Sequence, residues 1–379
     1  MNTNNQAITS RQLAFFLAFF MPIGKLLELP CLLVDGAGGD LLIAAAVGLI
    51  AEFLAFAALF FFCKRTGESP FSFLEKKWGK KAASVIYALF AVFLLVQVTL
   101  PLFDLEKFSH AAFSDTSPTF FIFAPFFILS GFICTKGIKS YGRVFDLGPA
   151  LVLIPLLGLI LMSVGQSDFS RLLPVMEKPL TVSLKTAWKT SAYFSSGGLL
   201  VPMLSGYRYE KGDGKKLFPA FAAGAALTLL FLACFFALFG LLGSKEHYAL
   251  MKIAQYFPAL KSIGRIDLLL VYSIAIALFY YTALPLQQFT ECFTQCFSIK
   301  SKTVTAAVLS IALYFAVLFC NKYTTAIQAF FMNHLAPVFV LFSLLLPVLF
   351  LLVSEKNNGS RYAMNKKQTA QPEEKNETE

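Results

Sequence analysis

Apolar stretches long enough to cross a lipid bilayer recur along this chain, and they leave room for little besides a helical bundle in a membrane. A span needs roughly 20 mostly apolar residues. Ten segments approach or meet that measure: 12–34, 41–63, 83–103, 119–135, 147–165, 191–206, 217–243, 266–288, 304–321 and 334–353. The sixth is short and rich in Gly and Ser, and the seventh and eighth are long enough to tilt or run past the membrane. Composition agrees, with 57% hydrophobic, 15% aromatic and only 14% charged residues, outside the range of a soluble domain. Lipid offers backbone groups no hydrogen-bond partner, and helices close their own bonds. The sequence therefore predicts an all-α integral membrane protein. One bundle is expected over 1–353, followed by a polar tail over 354–379 that is too poor in apolar residues to order itself. The 43 Phe residues suit lipid-facing and interfacial surfaces.

Net charge is +10, and the basic residues cluster between the apolar segments. That pattern is the positive-inside signature of a multi-pass chain, not a nucleic-acid footprint. With the amino terminus inside, Lys and Arg favour the inner connections two to one, so both termini are expected in the cytoplasm. Most of this signal comes from the loop "KRTGESPFSFLEKKWGKKAAS", where Ser69 and Pro70 should cap and open a short interfacial helix. Residues 166–190 and 244–265 mix apolar and charged residues at helical spacing and should lie over the outer mouth. The first apolar run lacks a small-x-small cleavage pattern, so it is expected to stay as a span.

Several chemistries find no residues to carry them. The seven cysteines form no CxxC; Cys292 and Cys296 share a helix face as apolar fillers. Three histidines, His110, His247 and His334, are too few and too scattered for a zinc site. No Walker motif and no nucleophile elbow occurs. Neither enzyme activity, nor a metal, nor a cofactor is expected.

Ten spans divide as five plus five, and an odd number per half inserts the second half upside down. Repeat one would cover about 8–165 and repeat two about 187–353. Spans one and six then correspond: the first reads "PIGKLLELP", the sixth "FSSGGLLVP". Each sets Gly or Ser before a Leu pair and then a Pro. Paired interruptions in corresponding spans point to a transporter-like binding site, here a five-plus-five inverted repeat of the LeuT type with broken helices 1 and 6. The freed amino ends suit a carboxylate and the carboxyl ends an ammonium, so an amino acid fits well. Candidate ligand contacts are Gly24, Lys25 and Leu26 at the first break and Tyr193, Ser195, Ser196, Gly197 and Gly198 at the second, with Gln97 and Tyr281 on neighbouring spans. Gly24, Gly197 and Gly198 would let backbone approach the ligand. Lys25, Glu28 and Glu52 are charges inside spans. Lys25 either holds a substrate carboxylate or a sodium-like position, or pairs with Glu28 or Glu52 to lock spans together. Glu28 and Glu52 are read as charge-pair or proton-handling groups.

The stretches "ITSRQLAFF", "IGKLLELP" and "AGGDLLIAAAVG" resemble the opening of the spore germination permease family. These are the GerAB-like B subunits of endospore germinant receptors, within the amino acid–polyamine–organocation superfamily. The likeness continues at "FLEKKWGKKAASVIYALF", "KGIKSYGRVFDLGPALVLIPLL", "DFSRLLPVMEKPL" and "GRIDLLLVYSIAIALF". The resemblance implies ten spans with a germinant site between broken spans one and six. It implies a sensor of a small nutrient, commonly an amino acid, in the spore inner membrane, acting with a larger A-type membrane subunit and a C-type lipoprotein. By position it puts Asp40, Arg143, Arg265 and Asp267 in structural or gating roles. The chain departs from the family in carrying Lys25 where small residues are common and "SSGGLL" where an acidic residue is common. A proton-coupled amino acid permease of the same fold is the alternative.

Overall fold

The computed structural model describes residues 8–112, 119–136, 138–204, 207, 209–210, 212–256, 267–297, 299 and 301–354. These residues are almost entirely helical; the sole β-type pairing among them is a bridge between Ile8 and Tyr207. The helices, in chain order, are α1 Ser10–Ile23 and α2 Leu29–Ala37, the halves of the first apolar segment, then α3 Leu41–Thr66. Next come α4 Pro70–Ala112, α5 Thr119–Lys136 and α6 Ile138–Val164. The second half brings α7 Leu180–Lys189, α8 Ser196–Met203, α9 Gly214–Phe239 and α10 Ala249–Tyr256. The chain closes with α11 Asp267–Cys296, α12 Lys302–Cys320, α13 Thr324–His334 and α14 Ala336–Ser354. Among the described residues, five helical stretches are long and apolar enough to cross a membrane: Leu29–Thr66, Pro70–Thr99, Gly214–Lys245, Lys302–Cys320 and Ala336–Ser354.

Local chemistry explains the boundaries. Thr9 and Gln12 form a reciprocal cap at the start of α1, each side chain bonding the other's backbone N–H. Ser69 Oγ accepts from Ser72 N at 3.3 Å and so caps α4, with Pro70 in its first turn. Gly79, at φ 82°, separates the short Pro70–Trp78 helix from the long span that follows. A short helix at this position is expected from the sequence. Residues 166–190 form a short 3-10 turn and α7, and 244–265 supply α10; residues 257–266 lie outside the described set. The tail expected to be disordered, 355–379, also lies outside it.

Two large apolar clusters fill the bundle, with a small third one at Ile23 and Val152. One sits at the end that carries Ile8 and Ser354, here the near end, and includes Leu13, Phe60, Phe62, Leu200 and Phe350. The other, toward the far end, includes Leu33, Leu41, Phe231, Phe235 and Tyr248. Phenylalanine does more inside than the sequence suggested: Phe62, Phe90, Phe93, Phe231, Phe235 and Phe339 are among the largest fully buried side chains. Phe93 and Phe342 stack at 5.0 Å, and Phe56 and Phe221 at 5.6 Å. Within a membrane, contact quality and not water exclusion decides packing, and ring pairs supply it. Phe132 and Phe319, by contrast, face outward.

Candidate functional site

The first apolar segment is not one helix. α1 passes through a π-turn at Phe16–Phe20, meets Pro22 and ends at Ile23; α2 starts only at Leu29. Residues Gly24–Glu28 form turns and bends, held by Lys25 N to Pro22 O at 2.7 Å and Leu26 N to Ile23 O at 3.0 Å. The sixth segment is interrupted as well. A 3-10 turn at Ser191–Phe194 gives way at Ser195, and α8 begins at Ser196. Every residue from Gly24 to Glu28 and from Ala192 to Gly198 is buried.

Lys25, 1% exposed, settles into a polar nest of its own chain. Its Nζ lies 3.1 and 3.0 Å from the two carboxylate oxygens of Glu52 on α3, and donates to Met21 O at 3.2 Å, a carbonyl freed by the end of α1. The ammonium also stands 5.8 Å from the Phe194 ring centroid. Glu52 Oε1 accepts a second bond, from Ser196 N at 3.3 Å, the first backbone N–H of α8. One carboxylate oxygen therefore ties the first break to the second. The two partners left open for Lys25 resolve in favour of Glu52.

Glu28 turns to a different set of groups. Its Oε2 accepts from Gln328 Nε2 at 2.5 Å and from Tyr193 OH at 3.5 Å, and its Oε1 lies 3.7 Å from His247 Nδ1. Gln328, on α13, and His247, just before α10, carried no signal in the sequence reading. A lone Gln on the buried side of a short apolar helix is the cue that could have marked Gln328. Two further bonds, Ala249 N to Leu27 O and Cys31 Sγ to Ser244 O, both 2.9 Å, tie residues 244–249 to the first break and the start of α2.

Besides Glu52, neutral groups hold the second break. Gln97 Nε2 donates to Ser195 Oγ at 2.8 Å and to Ser195 O at 3.3 Å; Ser343 Oγ donates to the same carbonyl at 3.3 Å. Ser343 sits in a π-turn of α14, Leu341–Leu345, a local widening that recurs at functional positions. Gly197 and Gly198 are also packing positions. A Cβ on Gly197 would come within 2.2 Å of Ser343 O, and one on Gly198 within 2.4 Å of the Phe93 ring. Their missing side chains admit neighbouring protein, so the close packing of α8 by itself requires glycine there. Leu26 is fully buried within the far-end cluster. Tyr281 lies on α11, with its side chain outside the described residues.

At the near end a second cluster closes the bundle. Asp213 accepts from Ser10 Oγ at 2.5 Å, from Tyr207 OH and from Glu210 N at 2.8 Å. Burial pushes this carboxyl up, and the three donors with Lys216 outweigh it, leaving it below the usual carboxylate range. The sequence reading did not foresee this latch. Asp40 accepts from Met176 N at 2.7 Å and Lys178 N at 2.8 Å. Arg143 is exposed near the start of α6; Arg265 and the Asp267 side chain lie outside the described residues. No group of three metal-ligating side chains occurs among the described residues.

Comparison with known proteins places this geometry in a context. The sequence matches the spore permease family, described as spore germination proteins, over residues 7–325. The crystal structure of MhsT in complex with L-phenylalanine superposes with a TM-score of 0.61, covering 92% of this chain and 98% of that chain at 14% identity. A likeness so distant in sequence speaks for the fold. No curated protein matches the sequence.

Proposed function

Because the chain belongs to the spore permease family of spore germination proteins, we propose that it is the nutrient-sensing membrane subunit of a germinant receptor. The reading is that a small nutrient, an amino acid, binds where the two broken segments meet, and that binding shifts the bundle between states read by an A-type membrane subunit and a C-type lipoprotein. The near end, which carries Ile8 and Ser354, faces the cytoplasm in this reading, and the spore inner membrane is the expected site. The ten segments are read as a LeuT-type five-plus-five inverted repeat.

One observation carries the proposal: Glu52 Oε1 is shared between the Lys25 ammonium and the Ser196 N–H. The two halves of the site thus meet at a single charged point. A ligand carboxylate competes for Lys25 and for the amino end of α8; a ligand ammonium competes for Glu52 and for the carbonyls closing α1. Either exchange alters how the breaks are held together, which gives the ligand the differential affinity that any switch requires. A proton-coupled amino acid permease is the second reading, motivated by the same buried ion pair, since a carrier needs a titratable pair on its path.

The test is a thermal-shift screen of the purified full-length protein against amino acids. A hit whose shift disappears in Lys25→Met/Glu52→Gln, with that variant still folded, supports the site. A hit that is indifferent to the double variant places binding elsewhere. Uptake of the labelled hit into proteoliposomes, driven by a pH gradient, favours the carrier over the sensor.

A further inference from the structure

The site proposed above has more hydrogen-bonding capacity than its own residues use. On α11, Gln287 and Gln288 are each 2% exposed. Neither amide atom of Gln288, nor Oε1 of Gln287, bonds any described residue. Two groups at the second break are in the same condition: Gln97 Oε1 and Ser196 Oγ. An amide stripped of water and of partners in a bundle core costs more than the bond it fails to make, and Leu or Met would fill the same volume without that penalty.

Helix register brings Gln288 and Gln97, which bonds Ser195 beside Ser196, within about one helical turn of each other along the bundle. α11 packs along α4. Cys296 Sγ donates to Ser84 O at 3.1 Å, and Val98 shares a cleft with Thr282 and Leu286. These contacts make the helices antiparallel and set Gln287 and Gln288 level with Val92 and Phe93. Phe93 is the ring that covers Gly198, and α11 also packs against α8. Leu284 and Cys292, one turn to either side of Gln288, belong to the near-end cluster together with Met21 and Leu200. The α11 face that carries Gln288 is therefore turned toward the broken segments.

We infer that Gln288, with Gln287, Gln97 and Ser196, forms a subsite for the uncharged polar side chain of an amino acid, a primary amide or a hydroxyl. The inference rests on the reading that an amino acid binds at the breaks. An amide offers one donor face and one acceptor face with no net charge, so it matches groups that need both. The charges of this layer, Lys25 and Glu52, already hold each other. A pocket built to hydrogen-bond its ligand rejects an apolar analogue far more strongly than an apolar pocket rejects an extra methylene.

Full-length protein in lipid nanodiscs, titrated calorimetrically, tests this with matched pairs: L-glutamine against L-methionine, L-asparagine against L-leucine, L-serine against L-alanine. At least one polar member should bind about tenfold or more tighter than its partner. Gln288→Leu should erase that ratio, with Gln288→Met as the second variant should Leu fail to fold. An apolar preference in the unaltered protein, or a polar preference that survives in the folded Gln288 variant, overturns the subsite and leaves the nutrient site standing. Absence of binding by all six amino acids overturns both.

Discussion

The two breaks solve one physical problem in opposite ways. Unwound backbone inside a membrane needs partners. The first break brings its own: Lys25 caps Met21 O, and Glu28 reaches Gln328 and Tyr193. The second break, built from Ser and Gly, borrows: Glu52 serves Ser196 N, while Gln97 and Ser343 serve Ser195 O. The charged break anchors, and the neutral one depends on neighbours from three other helices. Small neutral residues gain something by this dependence, since they let α8 sit against Ser343 and Phe93 at distances no side chain would allow.

The largest effect should come from the point the breaks share. Lys25→Ala or Glu52→Gln alone leaves an uncompensated buried group and should cost about 3–5 kcal/mol of stability. Lys25→Met with Glu52→Gln should recover much of that loss. Thermal unfolding of the purified variants reads this directly, and a double variant as unstable as the sum of the singles would refute the shared-point view. Gly197→Ala comes next, because its methyl meets a backbone oxygen at 2.2 Å that cannot swing aside. Overpacking of this kind should cost about 1–3 kcal/mol, while Gly24→Ala should cost less. The reverse ranking would mean that the first break is the tighter of the two. Ser343→Ala should be mildest, at about 0.5–1.5 kcal/mol, since Gln97 still serves the same carbonyl. A larger loss for Ser343→Ala than for Gly197→Ala would show that the borrowed bonds, and not the close approach, hold α8 in place.

Much of the architecture was legible in the residues alone. Apolar length set the helices, Pro and Gly marked both interruptions, and charge inside a span flagged Lys25, Glu28 and Glu52. These are local properties: proline with glycine weakens a helix where it stands, although Pro125, Pro219 and Pro285 lie inside unbroken helices, and hydrocarbon penalises a charge wherever it stands. The partners were not legible. Lys25 stands three residues from Glu28 in sequence and 27 from Glu52, and only the packing of α3 against the first break chose the more distant Glu52. Gln328, His247 and Ser343 looked like ordinary residues of apolar or connecting segments until folding carried them against the breaks. The spacing of polar groups along one chain fixes where backbone bonds fail. Which distant side chain supplies the missing bond depends on helix crossing and rotation, and those follow from the packing of many side chains at once.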